Sequence, residues 1–151
     1  RCEESWRIGT FELGFDTWGV LNEPCRKITY RCGATEDPIN KGIPAFQGSG
    51  SLSLNDTSAV IYNLPVDSFG VLIAGYPQGF ESTPFGWNCL GSSGVRIAYG
   101  FATDGVMTIP LDIPALSYSL LDELAVQYLY RDSTAPLGAR FSDATLLIVQ
   151  L

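Results

Sequence analysis

The sequence contains no histidine. It therefore lacks the commonest general base, the commonest transition-metal ligand and the usual pH switch near neutrality. Charge is scarce as well: 17% of the 151 residues are charged, with nine Lys and Arg against 16 Asp and Glu, a net charge of -7. An acidic surface repels phosphate backbones, which argues against a general nucleic-acid role. Long apolar runs are missing. The densest, VLIA at 71–74 and LLIV at 146–149, fall far short of the ~20 residues a membrane-spanning helix needs. The opening Arg1-Cys2-Glu3-Glu4 has no initiator Met and no signal-peptide pattern, as expected of a secreted chain cut before Arg1 or of an excised domain.

Apolar material is not lacking. Hydrophobic residues make up 46% of the chain, enough for a sizeable core, and the length fits one domain over residues 1–151. The dominant hydrophobic period is two, the mark of half-buried strands. Val60, Tyr62, Leu64 and Val66 alternate with their neighbours, as do Phe69, Val71 and Ile73, and Val95, Ile97, Tyr99 and Phe101. The pattern returns at Met107, Ile109, Leu111 and Ile113, at Leu124, Val126, Tyr128 and Tyr130, and at Leu147, Val149 and Leu151. Turn residues separate these sets, as in Thr103-Asp104-Gly105, Pro65-Val66-Asp67-Ser68 and Arg131-Asp132-Ser133-Thr134. A phase slip near Gly9-Thr10, between Trp6/Ile8 and Phe11/Leu13/Phe15, predicts a bulge or a strand changing sheets. The one helix candidate covers 114–124, with Pro114 suited to a first turn and Leu116, Leu120, Leu121 and Leu124 on one face. Roughly eight to ten strands are expected, giving an all-β, immunoglobulin-like sandwich with at most one short helix; a closed barrel is the rival.

Four cysteines, Cys2, Cys25, Cys32 and Cys89, show no CxxC, and without histidine no zinc pattern arises. They read as two disulfides, with buried free thiols or a single bridge as the other readings. If one straight strand joins Cys25 and Cys32, their odd spacing points them to opposite faces and so to different partners, Cys2 and Cys89 in either order.

The segment from Leu124 to Leu151 carries the most specific pattern. It runs Leu124-Ala125-Val126-Gln127-Tyr128-Leu129-Tyr130, a polar turn, Ala135-Pro136-Leu137-Gly138, then an alternating strand from Phe141 to Leu151. This resembles the end of chaperone-usher pilus subunits. In two respects it departs from a polymerising subunit. Gln150 stands where such subunits usually carry Tyr, and only Arg1 precedes Cys2, leaving no strand to donate to a neighbour. The resemblance therefore implies the receptor-binding, lectin-like domain of a two-domain tip adhesin. Such a domain would be non-catalytic, extracellular at the pilus tip, monomeric, and free of cofactor, nucleic acid and membrane. Its partners would be a host glycan or glycoprotein, plus the pilin domain and pilus subunits of the full-length protein. A structural subunit polymerising by strand addition and a small secreted glycosidase are the alternatives.

Binding loops lie at the ends of such sandwiches. The loop 76–91 packs four aromatics, two prolines and three glycines. Flat aromatic faces suit sugar C–H surfaces, while amide and charged groups take the hydroxyls. Tyr76, Phe80, Trp87, Asn88 and Arg96 are the expected ligand contacts, and a disulfide at Cys89 would hold the loop. The polar loop 34–42 is a weaker candidate, reading as solvated. Asn55-Asp56-Thr57 matches a glycosylation sequon, or in a bacterial chain simply a polar turn. Arg1 could offer a terminal amine to a pocket. No catalytic or metal site is expected: serine has no histidine partner, and Asp16, Glu23, Glu81 and Asp104 show no spacing that pairs carboxylates.

Overall fold

A computed structural model of the chain describes residues 4–8 and 27–31 as strand backbone, and 41–77, 81–119 and 122–149 with their side chains. Eleven strands are present among them: β1 (Glu4–Ile8), β2 (Lys27–Arg31), β3 (Ile43–Gln47), β4 (Ser58–Tyr62), β5 (Phe69–Gly75), β6 (Glu81–Thr83), β7 (Gly86–Asn88), β8 (Val95–Phe101), β9 (Met107–Pro110), β10 (Glu123–Arg131) and β11 (Ala139–Ile148). They form a six-stranded sheet in the order β1-β2-β11-β10-β5-β8, a three-stranded sheet β3-β4-β9, and the β6-β7 hairpin. Pairing is antiparallel except between β1 and β2. The fold is the expected all-β sandwich.

The core lies between the two larger sheets. From the six-stranded sheet, Leu72, Ala74, Leu124, Val126, Tyr128, Tyr130 and Leu147 point inward; Phe46, Ala59, Ile61 and Ile109 meet them from the other. Strand β10 follows its alternation to the letter, because its even-numbered residues are the core set. In β4 and β5 the phase is the reverse of what the larger residues suggest. Ala59 and Ile61 enter the core of β4 while Tyr62 and Val66 are exposed, and in β5 the core takes Leu72 and Ala74 while Phe69, Val71 and Ile73 lie on the far face. Small residues face inward there because the Tyr128 ring crosses them: a Cβ on Gly70 would collide with that ring, and the Tyr128 hydroxyl donates to the Gly100 carbonyl at 3.1 Å.

The far face of the large sheet is also covered. Cys89, Leu90, Ala125, Ala144, Leu146 and Ile148 form a second buried cluster, with Ile73 and Trp87 packed against it. Gln127, wholly buried on β10, fastens this layer. Its Oε1 accepts from the Cys89 backbone N–H at 3.0 Å, and its Nε2 donates to the Trp87 and Ser142 carbonyls, both at 2.8 Å. Ser142 sits where the β10-β11 register slips, and its hydroxyl accepts the Tyr128 N–H at 2.8 Å in place of a ladder bond.

The turns follow their residues. Asp104 and Gly105 take positive φ, 51° and 79°, in a tight hairpin closed by Thr103 and Val106. After β10, the Asp132 carboxylate accepts from the Thr134 N–H at 2.9 Å, the Thr134 hydroxyl at 2.6 Å and Arg140 Nε at 2.9 Å. Burial pushes this carboxyl up, but the Thr134 hydrogen bonds and the Arg140 guanidinium outweigh it and hold the pKa below the ordinary range.

The helix expected over 114–124 reduces to one 3-10 turn, Pro114–Leu116, ended by Ser117 at φ 62°. Leu124 belongs instead to β10, where a full strand of core contacts outweighs a short helical face. A second 3-10 turn, Gly91–Ser93, precedes β8. Among the described residues, no helix is long and apolar enough to cross a membrane. The phase slip at Gly9-Thr10 and Cys2, Cys25 and Cys32 lie outside the described residues. Cys89 is disulfide-bonded, to a partner outside them.

Candidate functional site

Strand β8 is an edge of the large sheet, paired with β5. Phe101 lies opposite Phe69, Tyr99 opposite Val71 and Ala98 opposite Leu72; the register then slips, so that Arg96 faces Ile73 and Val95 faces Ala74. Directly opposed residues share a face. Ala98 and Val95 are therefore on the core side, with Leu72 and Ala74, while Tyr99, Phe101 and Arg96 share the outer side with Phe69, Val71 and Ile73. The slip leaves Ile97 as a bulged residue. Without it, Arg96 and Tyr99, three residues apart, would point to opposite faces.

Recesses open on both sides of this edge. The outer one is a cleft of about 510 Å³ lined by Phe69, Val71, Arg96, Ile97, Ala98 and Tyr99. The Phe69 ring centroid lies 6.1 Å from that of Tyr99 and 5.1 Å from that of Phe101. Tyr99 is 76% exposed and Phe101 66%, values that put large apolar faces in solvent at a place where the alternation of β8 predicted core. The second recess, about 380 Å³, lies at the mouth of the sandwich and is lined by Tyr76, Ser93, Val95, Ile97, Tyr118 and their neighbours. A third, about 260 Å³, runs between β8 and β9, which are not hydrogen-bonded to each other. Ile97 borders all three.

The mouth recess is held by short-range devices. Ser93 Oγ accepts the Tyr76 N–H at 3.0 Å and lies within donating distance of the Leu90 carbonyl, 2.7 Å, and the Tyr76 carbonyl, 2.8 Å. That hydroxyl fixes where the chain leaves β5. From the other side, the left-handed turn at Ser117 brings Tyr118 onto Tyr76, with ring centroids 5.0 Å apart and planes tilted by 39°. Asp122 Oδ2 accepts the Ser119 N–H at 2.6 Å and lies 3.5 Å from the Tyr76 hydroxyl. Burial, with the neighbouring Tyr76 and Asp122 charges, pushes the Tyr118 phenol up to about 12. It stays protonated throughout the physiological range, both donor and acceptor. The arrangement offers aromatic faces beside hydroxyls and a carboxylate, which is the chemistry a polyhydroxylated ligand requires.

The expected contacts divide. Tyr76 borders the mouth recess and Arg96 the outer cleft. Trp87 and Asn88 lie elsewhere, on β7. Trp87 packs against the second buried cluster; the Asn88 side chain accepts from the Leu90 N–H at 3.2 Å and donates to the Gly91 carbonyl at 3.3 Å, shaping its own turn. Phe80 lies outside the described residues. The loop 76–91 is thus several structures: a start at the sandwich mouth, a hairpin laid on the sheet, and a turn into β8. Tyr118, Ser93, Phe69 and Tyr99 were not anticipated as site residues. Tyr118 stood inside a helix candidate, and Phe69 and Tyr99 stood in strand alternations that read as core.

Of the other candidates, Asn55 is engaged at both ends of its amide, donating to Asp112 Oδ1 at 3.1 Å and accepting the Ile113 N–H at 3.2 Å. Both bonds fix the Asn55 side chain in a polar turn. The loop 34–40, Asp16, Glu23 and Arg1 lie outside the described residues. Glu81 opens β6 and Asp104 sits in the β8-β9 turn. Among the described residues, no group of three or more His, Cys, Asp or Glu could hold a metal ion.

No protein-family model matches the chain, and neither a curated protein nor a solved structure matches it.

Proposed function

We propose that this is a non-catalytic receptor-binding domain, an extracellular adhesin domain of the pilus-tip type, which takes a host glycan or glycoprotein at the β8 edge. The observation that carries the reading is the mouth recess. Tyr76 and Tyr118 lie 5.0 Å apart, tilted by 39°, beside a hollow of about 380 Å³ whose rim also bears the Ser93 hydroxyl. Phenol rings give a sugar an apolar face and hydroxyls with which to bond. The hollow falls within the size range of small-ligand sites, ~300–1,000 Å³. Its walls come from β5, β8 and turns tied to them, so little ordering is needed on binding.

The pilus-tip assignment and the partners it brings, a following pilin domain and further subunits, rest on the resemblance of residues 124–151 and belong to the same proposal. The test is a glycan array probed with the folded, oxidised chain and with Tyr118→Ser. Binding that the substitution weakens at least about tenfold, the scale of a lost aromatic contact plus a hydrogen bond, supports the reading. A folded chain that binds no glycan or host glycoprotein refutes it.

A further inference from the structure

We propose that the outer cleft selects acidic sugars, with Arg96 receiving the carboxylate and the Phe69–Tyr99 surface receiving the ring; this rests on the glycan-binding reading and assigns its charge preference. Three observations lead there.

The first is the bulge. Ile97 is the extra residue that turns Arg96 onto the face of Tyr99. Bulges re-aim side chains, and this one joins a cation to an aromatic shelf that regular alternation would keep apart.

The second is the state of the guanidinium. Arg96 is exposed, and among the described residues no hydrogen bond or ion pair engages it. Arg140, by contrast, is held by Asp132 at 2.9 Å. In a chain of net charge -7, an unneutralised cation at the rim of an apolar cleft gives that cleft a local sign opposite to the molecule's own. Ligand carboxylates suit it, since Arg binds them through paired N–H donors.

The third is the shape. The exposed Tyr99 ring and the half-buried Phe69 ring are tilted by 48° to each other in a cleft of about 510 Å³. A pyranose presents both a C–H face for such a surface and, in a uronic or nonulosonic acid, a carboxylate beside it. An acidic peptide fits less well. Added along β8, it would need a regular backbone ladder, and the bulge interrupts that edge.

The experiment compares oligosaccharides ending in glucuronic acid, galacturonic acid or a nine-carbon sialic acid with their carboxyl-reduced counterparts. An aspartate- and glutamate-rich peptide is the control ligand. Each is titrated against the wild-type chain, Arg96→Gln, Arg96→Lys and Tyr99→Ala, with melting temperatures confirming that the variants fold. We expect at least one acidic glycan to bind about tenfold or more tighter than its reduced form. That preference should disappear in Arg96→Gln and persist in part in Arg96→Lys, and both glycan forms should weaken in Tyr99→Ala. Equal binding of acidic and reduced forms overturns the inference, as does acid preference unchanged in Arg96→Gln, or Arg96-dependent binding of the peptide alone. Binding of neutral glycans only, lost in Tyr118→Ser, overturns this inference and leaves the general reading standing. No glycan binding at all overturns both.

Discussion

Replacing Gln127 with leucine tests whether one amide ties the outer layer to the sandwich. The side chain is wholly buried and makes three hydrogen bonds to the backbone, at the Cys89 N–H and the Trp87 and Ser142 carbonyls, beside a weaker one from Nε2 to Cys89 Sγ at 3.5 Å. Only one orientation of the amide satisfies this set, because two carbonyls need donors and one N–H needs an acceptor. Leucine has similar bulk and satisfies none of them. A buried polar group left without a partner costs about 1–3 kcal/mol. Three such groups, less about 1 kcal/mol regained from burying leucine's extra apolar surface, give a loss of about 2–8 kcal/mol. With an m-value near 2 kcal/mol/M, ordinary for a small protein in urea, the unfolding midpoint of the oxidised chain should fall by about 1–4 M. Gln127→Glu sharpens the test. A glutamate there would turn a carboxylate toward two carbonyl oxygens, so its folded-state pKa would rise. The sign follows: its deficit relative to wild type is smallest below the unfolded value of about 4.3 and grows as pH rises from there toward the raised pKa. A Gln127→Leu variant within about 1 kcal/mol of wild type, or a Gln127→Glu deficit that does not change between pH 4 and pH 7, would refute the reasoning.

The other stability predictions address single groups. Asp132→Asn should destabilise the chain at pH 7, and the difference should shrink on acidification: the depressed carboxyl contributes stability above its unfolded pKa, and that contribution is lost as pH falls through the folded value. Chemical denaturation at pH 7 and pH 3 reads this directly, and a gap that stays constant contradicts it. Trp87→Ala should cost about 3 kcal/mol, the low end for a large aromatic since the residue is half-buried; an unchanged melting temperature would show that its packing against the second buried cluster contributes nothing. Tyr118 and Tyr128 are both pushed up to about 12, foremost by burial. Their neutral forms therefore add stability that is complete below pH 10 and lost as pH rises through 12, and phenolate absorbance from these two should appear well above pH 10. A single titration near pH 10 for every tyrosine in the folded chain would contradict this.

Period-two reading recovers β10 although both its faces are buried, because the larger residues take the inner one: Leu124, Val126, Tyr128 and Tyr130 enter the core, while Ala125 and Gln127 lie under the outer layer. The same reading misassigns the faces of β5. In β5, large residues line the outer side because Gly70 leaves room inside for the Tyr128 ring, a partner more than fifty positions away that no local window contains. The helix candidate over 114–124 came out as a single 3-10 turn, within the expectation of at most one short helix, for a related reason. Leucine spacing could not reveal that Leu124 is claimed by the central strand or that Ser117 would adopt a left-handed turn. For the candidate site, residue type and loop richness pointed to Tyr76 and Arg96, and each borders a recess. Their separation onto two sides of β8 was not legible, and neither was the recruitment of Trp87 into packing.

The bulge at Ile97 accounts for more than the direction of one arginine. An unpaired edge strand carrying Val95, Tyr99 and Phe101 in solvent is a template for unwanted pairing, and proteins blunt such edges with charges and irregularities. Strand β8 has both at one point: Arg96 and the register slip beside it. The residues that keep the edge from accepting another strand are the same ones that shape the cleft, since Ile97 borders every recess described and Arg96 rims the outer one. Deleting Ile97 should therefore separate the two roles. Arg96 would stand two residues from Tyr99 and keep the outer face, while the restored ladder would invite self-association. A deletion variant that stays monomeric by analytical ultracentrifugation would refute the protective role of the bulge.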